Sequence, residues 1–329
     1  MRQIVALLSC ALALLGACTK GTAKIEPIEG VLKLAYMALP QGGIIHLDQE
    51  KGFFTAEGLT VEALPFEFGR LALDSVIKGE SDLSTSAETP VVLSVLAGDN
   101  VGIAAVFGTW DKNTVIIANK ASGVLNPSDL AGKAIGVAKG TSGEYFLEAF
   151  LRARGIDLHS VTIVDMQPHI MLEALLEDRI AAAAIWTPIQ MEIGYILAEQ
   201  AVVFYGDDFY TEHLVVSGSL AFMEKNPAAI KAFARALLKA EVYMKEYPDD
   251  AVTIIAKYSN VPESSVRSVL ELLKIKVFLD QSLLLQLEDE TRWALRQPVH
   301  ARQSMPNWLD YLYTDALESV APDRVRVIR

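Results

Sequence analysis

From residue 31 onward, short uninterrupted apolar runs alternate with segments whose apolar residues recur every three or four positions. Uninterrupted apolar runs are typical of strands buried on both faces, and the periodic segments are typical of helices that lie against a sheet. This alternation predicts an α/β fold built from βαβ units, with a largely parallel sheet. The strand candidates of the first half lie at residues 31–37, 59–67, 81–87, 101–109 and 113–121.

The same order of elements recurs in a second unit that begins near Ser122, with strand candidates at residues 133–138, 161–166 and 181–186. After residue 218 the pattern becomes mostly helical. A chain of 329 residues suits two domains of moderate size. We therefore predict two lobes, with C-terminal helices that cover lobe one and contribute no chemistry. The predicted division is lobe one at 31–117, lobe two at 118–213, and a return to lobe one at 214–329.

The first residues have the pattern of an export signal. Arg2 precedes an apolar run that is too short for a membrane-spanning helix and ends in Leu-Gly-Ala-Cys at Cys18. This ending resembles the lipobox of bacterial lipoproteins, which implies a signal peptide at residues 1–17, lipidation of Cys18 and a polar tether at residues 18–30. An ordinary secreted chain is the alternative. The lipoprotein interpretation predicts a protein on the periplasmic side of the cell envelope, held to the membrane by lipid alone.

Charge and motif content exclude several classes of function. The formal net charge is -12 and no basic run offsets it, so nucleic acid is not an expected partner. The 5 histidines are scattered without metal-ligand spacing, and no hydrolase or zinc-protease motif is present. The sequence therefore predicts a protein that is not an enzyme and has no cofactor and no metal site.

The turn Gly-Thr-Ser-Gly-Glu at residues 140–144 follows a predicted strand and opens a predicted helix. Thr141 and Glu144 have capping-box spacing, which by itself accounts for the pattern. A helix N-terminus after a strand also binds anions readily, and ligands of open parallel sheets lie beyond the carboxyl ends of the strands. The turn matches neither a phosphate loop nor a dinucleotide fingerprint. Helix start and ligand site both stay open as interpretations.

Several motifs occur together in a characteristic order: PQGGIIHLDQEKGFF, SAETP, GKAIGV, the GTS turn and LEALLEDRIAAAAIWTP. This order is similar to that of the solute-binding proteins of sulfonate, taurine and nitrate ABC importers, the NMT1/THI5-like family, over residues 32 to about 258. The resemblance implies a two-lobed, type II periplasmic-binding-protein-like fold with parallel-rich mixed sheets. It also implies a monomer that closes on a small ligand and delivers it to an ABC permease and its ATPase.

The resemblance further implies that helix N-termini of both lobes face the ligand. The residues of this chain that we expect to contact it are Gln41, Gly42, Ser86, Glu88, Thr89, Trp110, Thr141, Ser142, Trp186, Thr187 and His213. Each has a structural alternative, such as a core position for Trp110 or a helix cap for Thr89 ahead of Pro90. His46 is a weaker candidate.

Glu88 bears on the charge of the ligand. A carboxylate beside an anion site favours a zwitterion, such as an aminosulfonate, or a protonated heterocycle over bare nitrate. Alternatively, Glu88 only stabilises the dipole of its own helix.

The sequence thus predicts a solute-binding lipoprotein for a small anionic or zwitterionic organic solute, whose lobes hinge near residues 116–122 and 212–217. One alternative ligand is a heterocyclic pyrimidine precursor that stacks among Trp110, Trp186, Phe66 and Tyr145. A non-transport alternative is an envelope sensor.

Overall fold

The structure is a computed structural model that describes residues 27–206 and 208–328. The predicted signal peptide, Cys18 and most of the predicted tether lie outside the described residues. In the described part of the chain, no helix combines the length and the apolar character needed to cross a membrane.

Strands and helices alternate through the first two thirds of the chain. The strands are β1 (Val31–Met37), β2 (Thr60–Phe66), β3 (Leu83–Ala87), β4 (Val101–Trp110), β5 (Thr114–Asn119), β6 (Ala134–Val137), β7 (Thr162–Asp165), β8 (Ala182–Trp186), β9 (Ala201–Phe204), β10 (Glu212–Ser219), β11 (Lys274–Asp280) and β12 (Val325–Arg326). The helices are α1 (Gly43–Lys51), α2 (Phe53–Ala56), α3 (Gly69–Ile77), α4 (Glu88–Ala97), α5 (Ser142–Ala153), α6 (Met171–Leu176), α7 (Ile189–Leu197), α8 (Leu220–Lys225), α9 (Pro227–Glu246), α10 (Pro248–Ser259), α11 (Glu263–Leu272), α12 (Gln281–Ala294) and α13 (Thr314–Val320).

The strands of residues 27–206 and 208–328 form two sheets, which confirms the predicted α/β class and two-sheet architecture. One is a 7-stranded sheet in the order β12-β11-β4-β10-β3-β1-β2, and the other is a 5-stranded sheet in the order β7-β6-β8-β5-β9. Parallel pairs such as β1 with β2 and β6 with β7 lie within the βαβ units. Antiparallel pairs involve β4, β5 and β10, the strands next to the crossings between the sheets. Because these strands run against their neighbours, the sheets are more evenly mixed than the sequence pattern predicts.

The chain crosses between the sheets at residues 111–113 and again at residues 205–211, apart from residue 207, which is not described. All of β5 therefore lies in the 5-stranded sheet, and all of β10 lies in the 7-stranded sheet. The lobe boundaries predicted after residues 117 and 213 fall inside these two strands. The predicted hinge segments also overlap them, whereas the crossings are the short irregular segments beside them. The lobes as numbered stay a prediction.

The C-terminal segment differs from the sequence expectation in two respects. The segment predicted to be mostly helical contains a strand, β11, which extends the 7-stranded sheet beside β4. Although α9 and α13 pack together over the 7-stranded sheet, α12 packs against both α4 and α5 and so contacts elements associated with both sheets. Helix α12 thus covers α4 as expected and also contacts α5, a contact that the sequence pattern does not predict.

Candidate functional site

A narrow cleft separates the two sheets at the carboxyl ends of β1, β2 and β3 on one side and of β6 and β8 on the other. This is the edge where open α/β sheets bind ligands. The empty space at this cleft, including the part open to solvent, amounts to about 350 Å³, and only about 30 Å³ admits the centre of a water molecule. The cleft is therefore almost closed, and a ligand of several heavy atoms enters only when the walls move apart. The lining residues are Met37, Leu39, Gln41, Phe68, Gly69, Arg70, Ala87, Pro90, Asn113, Thr141, Ser142, Trp186 and Glu212.

Gln41 reaches across the cleft from a short helical turn that Pro40 opens directly after β1. Its Nε2 donates to the Thr187 carbonyl at 2.9 Å, which links the two sides. Its Oε1 is buried and accepts no hydrogen bond from the described residues. Because a buried acceptor without a donor costs about 1–3 kcal/mol, a ligand N–H or O–H group at this point would remove that cost.

The first residues of α3 form the adjacent wall. A Cβ on Gly69 would lie 2.5 Å from Ser86 Cα, so only glycine lets this helix start so close to β3. The next residue, Arg70, donates from Nε to Asp74 Oδ1 at 2.8 Å and from Nη1 to the Gly140 carbonyl at 3.3 Å. The second bond spans the cleft, and the guanidinium group supplies positive charge to its lining.

The turn before α5 both starts the helix and lines the cleft. Thr141 is the N-cap, where its Oγ1 accepts from Gly143 N at 3.2 Å. Glu144 Oε2 accepts from Gly140 N at 2.7 Å, one residue earlier than the predicted capping box. Thr141 and Ser142 line the cleft, and the positive end of the α5 dipole begins there.

Two polar residues at the crossings complete the lining, and sequence analysis missed both. Glu212 is almost fully buried and accepts from Asn113 Nδ2 and Thr114 Oγ1, each at 2.7 Å. Burial raises the pKa of Glu212, while hydrogen bonds from Thr114, Asn113 and Ser142 act in the opposite direction. Asn113 Oδ1 in turn accepts from Thr187 N at 3.2 Å. Both residues stand where the chain crosses between the sheets, and polar residues beside the crossings were the signal available in the sequence.

The aromatic wall of the cleft differs from the predicted one. Phe68 and Trp186 lie with ring centroids 5.8 Å apart, one from each side of the cleft. Trp110 is buried at the end of β4 and is not among the lining residues. Tyr145 packs edge-on against Trp293 at 5.4 Å instead of facing a ligand. Trp110 and Tyr145 therefore do not stack with Trp186 in the cleft, because they pack elsewhere, and Phe66 is not among the lining residues.

Four predicted residues, Gln41, Thr141, Ser142 and Trp186, line the cleft, and the others do not. Ser86, Glu88 and Thr89 are fully buried behind it. Because α4 begins at Glu88 with Ala87 as its N-cap, Thr89 is inside the helix and does not cap it. These positions show why the turn after β3 contributes only Ala87 and Pro90 to the lining.

The other predicted residues have different surroundings. Gly42 is buried beside the Met37 carbonyl, and Thr187 contributes its backbone to the cleft-spanning bonds described above. His213 lines a separate surface groove, where Nε2 lies 3.1 Å from Ser282 Oγ. His46 is buried against Tyr258 with a ring-centroid distance of 5.5 Å. Ligand contact by any of these residues stays a prediction.

Comparison with known proteins agrees with this architecture. The family profile described as NMT1/THI5 like matches residues 40–251, which is more than half of the chain. The taurine-binding periplasmic protein of Escherichia coli (strain K12) is 24% identical over 65% of this chain and 68% of its own length. The formylaminopyrimidine-binding protein of Halalkalibacterium halodurans is 26% identical over 77% of this chain and 78% of its own length.

Among solved structures, the periplasmic aliphatic sulphonate binding protein SsuA from Escherichia coli superposes with a TM-score of 0.74. The superposition covers 87% of this chain and 98% of the other at 18% sequence identity, so this likeness concerns the fold alone. The family profile matches the sequence itself over residues 40–251, a range that includes the turns that line the cleft. This chain belongs to the NMT1/THI5-like family.

Proposed function

We propose that the protein is an extracytoplasmic solute-binding protein that captures a small zwitterionic organic solute, of the aminosulfonate class, and delivers it to an ABC importer. The relatives compared above are named as binding proteins, and neither name describes an enzyme. Capture would stabilise the closed arrangement of the two sides, and the permease would recognise that arrangement.

The observation that carries this proposal is the opposite polarity of the groups that line the cleft. Glu212 and Gln41 Oε1 are buried acceptors, and Gln41 Oε1 has no donor among the described residues. Arg70 supplies a cation, and α3 and α5 direct the positive ends of their dipoles to the same space. An ammonium group matches the acceptors and a sulfonate group matches the donors. A bare anion leaves Gln41 Oε1 without a donor and brings no positive charge to Glu212.

A second candidate ligand is an amino-substituted heterocycle. The pair of Phe68 and Trp186 offers aromatic surface, and Glu212 offers a carboxylate to a ring nitrogen or an exocyclic amine. One relative is named for formylaminopyrimidine binding. This ligand needs the same acceptors but makes no use of the Arg70 cation, so the zwitterion accounts for more of the lining.

We also propose that the protein reaches the envelope as a lipoprotein through Cys18, on the basis of the Leu-Gly-Ala-Cys sequence. We expect Cys18→Ser to move the protein from the membrane fraction to the soluble extracytoplasmic fraction, because lipid is the anchor in this proposal. Cell fractionation checks this. An unchanged membrane association would contradict the anchor without affecting the ligand proposal.

Calorimetric titration with taurine and with ethanesulfonate tests the ligand class, because these two sulfonates differ only by the amino group. We expect saturable taurine binding and much weaker ethanesulfonate binding. Glu212→Gln should weaken taurine binding about 10- to 100-fold, because a hydrogen bond to a charged group contributes about 1.5–3 kcal/mol. The same substitution should leave ethanesulfonate binding nearly unchanged.

Glu263→Gln, at an exposed position at the start of α11, is the matched control and should not change either affinity. Equal affinity for the two sulfonates would show that the protein does not recognise the amino group. Binding of formylaminopyrimidine in place of taurine, again dependent on Glu212, would favour the heterocycle. No saturable binding of any of these compounds would contradict both ligand classes.

A further inference from the structure

Glu88 and Glu290 are two fully buried carboxyl groups that do not line the cleft. Glu88 is the first residue of α4, and Glu290 lies in the third turn of α12, which packs against α4. The Glu290 carboxyl group faces the Glu88 carboxyl group and the Thr89 hydroxyl group. Two acidic groups thus meet in the interior, at the contact between these helices.

Each carboxyl group has one satisfied oxygen and one unsatisfied oxygen. Glu88 Oε2 accepts from His213 N at 3.0 Å, and Glu290 Oε1 accepts from Gln286 Nε2 at 3.0 Å. Glu88 Oε1 and Glu290 Oε2 are buried and accept no hydrogen bond from any N–H or O–H group of the described residues. If both groups were ionised, these two oxygens would be left unpaired and the two carboxylate charges would repel each other. One proton lets one carboxyl group donate to the other.

The surroundings supply no positive charge to the pair. His213 Nδ1 lies 3.9 Å from Glu88 Oε1, but burial lowers the pKa of His213 to about 4. Nδ1–H donates to the Thr211 carbonyl at 3.1 Å, and Nε2 lies 3.1 Å from Ser282 Oγ, whose own hydroxyl hydrogen is donated to Asp280 Oδ1 at 2.6 Å. His213 therefore does not act as a cation toward Glu88 near neutral pH.

The other groups that face the pair are acidic or phenolic. Glu212 approaches from β10, Tyr210 from the second crossing and Tyr145 from α5. Among residues 27–206 and 208–328, neither Glu88 nor Glu290 forms an ion pair with lysine or arginine, and no cluster of three or more metal-ligating side chains is present. Since no cationic side chain among the residues described pairs with Glu88 or Glu290, a bound proton is what can neutralise the negative charge of the pair.

Burial raises the pKa of Glu290 to about 8, and burial together with the charges of Glu290 and Glu212 raises that of Glu88. Glu241 provides the contrast. It is also almost fully buried, but hydrogen bonds from Lys245, Val277 N and Arg324 outweigh the effect of burial and keep its pKa below the usual value. What distinguishes the pair is the lack of a cation.

We propose that Glu88 and Glu290 share one proton, which links α4 to α12, and that this pair positions Glu212 so that its carboxylate pairs with the positive charge of a bound ligand. The coupling to Glu212 runs through adjacent backbone, because Glu88 accepts from the amide of His213, the next residue after Glu212. This second part rests on the proposed binding of an ammonium-bearing solute. The positive charge of that solute favours ionisation of all three carboxyl groups, so binding releases part of the shared proton to solvent.

The stability of the ligand-free protein tests the pair by itself. Denaturant unfolding of the purified protein between pH 6.5 and 8.5 should show the folding equilibrium constant falling by up to tenfold per pH unit, because the folded state holds a proton that the unfolded chain has lost. Glu290→Gln should remove most of this slope, since glutamine donates an N–H without titrating. Glu88→Gln is a second variant with the same expected result.

Glu241→Gln is the matched control, because Glu241 is buried but has cationic partners. It should lower stability at every pH and keep the wild-type slope. If both Glu290→Gln and Glu88→Gln keep the wild-type slope, the shared proton is overturned.

Proton release on taurine binding tests the link to Glu212. Calorimetry at pH 7.5 in two buffers of different ionisation enthalpy should show fractional proton release for the wild type and little release for Glu290→Gln. Equal release in both proteins would overturn the link, although the pair itself would stand. If taurine does not bind the wild type, the proposed ligand is wrong, and the stability series alone decides whether the pair exists.

Discussion

Gly140 shows how a single residue holds the two sides of the cleft together. Its φ of +74° lies in the left-handed region that side chains disfavour. Its carbonyl accepts from Arg70 Nη1 at 3.3 Å across the cleft, and its N–H donates to Glu144 Oε2 at 2.7 Å. A Cβ at this position would collide with Arg70 Nη1. Glycine is therefore required for the backbone shape and for the approach of Arg70.

We expect Gly140→Ala to lower stability by about 1 kcal/mol through backbone strain and also to weaken ligand affinity, because the new methyl group displaces Arg70 from the cleft. Gly155→Ala is the matched control. Its φ is +68°, but a Cβ there has no atom within 4 Å. Denaturant unfolding should show a similar loss for both variants, whereas titration with taurine should show weaker binding for Gly140→Ala alone. Equal affinities would mean that Arg70 does not support the closed form.

At the scale of elements, local patterns were enough to place most strands and helices. The apolar run at residues 31–37 forms β1 with the predicted bounds, and α1 ends at Lys51, directly before Gly52, which has a φ of +70°. These elements are predictable because burial on both faces of a strand and a glycine at a helix end leave direct marks on the sequence. β11 was missed because its short alternating run lies between two helical patterns.

Contacts between elements leave no comparable pattern in the sequence from which they could be predicted. Thr141 and Ser142 were identifiable because a cap and a cleft position coincide in one turn. Asn113 and Glu212 are 99 positions apart in the chain, and only the pairing of β4 with β10 brings the two crossings together. Glu88 was predicted to be a carboxylate near an anion site, but α12 packs against α4 and the Glu88 side chain faces Glu290 in the interior. The side-chain direction at the start of α4 depends on a helix about 200 residues later, so the sequence alone did not predict it.

For the molecule as a whole, buried titratable groups set two opposite dependences of stability on pH. Burial raises the pKa values of Glu88, Glu290 and Glu212, so the folded protein keeps protons that the unfolded chain loses as the pH rises. Stability from these groups is lost toward alkaline pH. Burial lowers the pKa values of His46 and His213 to about 4, so the unfolded chain binds protons first as the pH falls. Stability is therefore lost toward acidic pH as well (the acid limb of the stability curve), and it is greatest at the pH values between the acidic and the alkaline loss.

His46 offers the cleanest test of the acid limb. Its ring stacks on Tyr258 at 5.5 Å and meets Tyr36 edge-on at 5.6 Å, and neither ring nitrogen has a hydrogen-bond partner among the described residues. Phenylalanine keeps these aromatic contacts without the two desolvated nitrogens. We therefore expect His46→Phe to be more stable than the wild type near neutral pH by about 1–3 kcal/mol.

The advantage of His46→Phe should grow as the pH falls. Between pH 6.5 and about 4 the unfolded wild-type chain protonates His46 while the folded chain does not, so the wild type loses up to about 1.4 kcal/mol per pH unit from this residue. Denaturant unfolding at several pH values in this range measures the difference between the two proteins. His159→Gln, at an exposed position in both the folded and the unfolded chain, is the control and should follow the wild-type curve. A constant difference between His46→Phe and the wild type across this range would show that His46 titrates alike in the folded and unfolded states. The loss of stability toward acidic pH would then have to come from His213 and from carboxyl groups with a lowered pKa, such as Glu241.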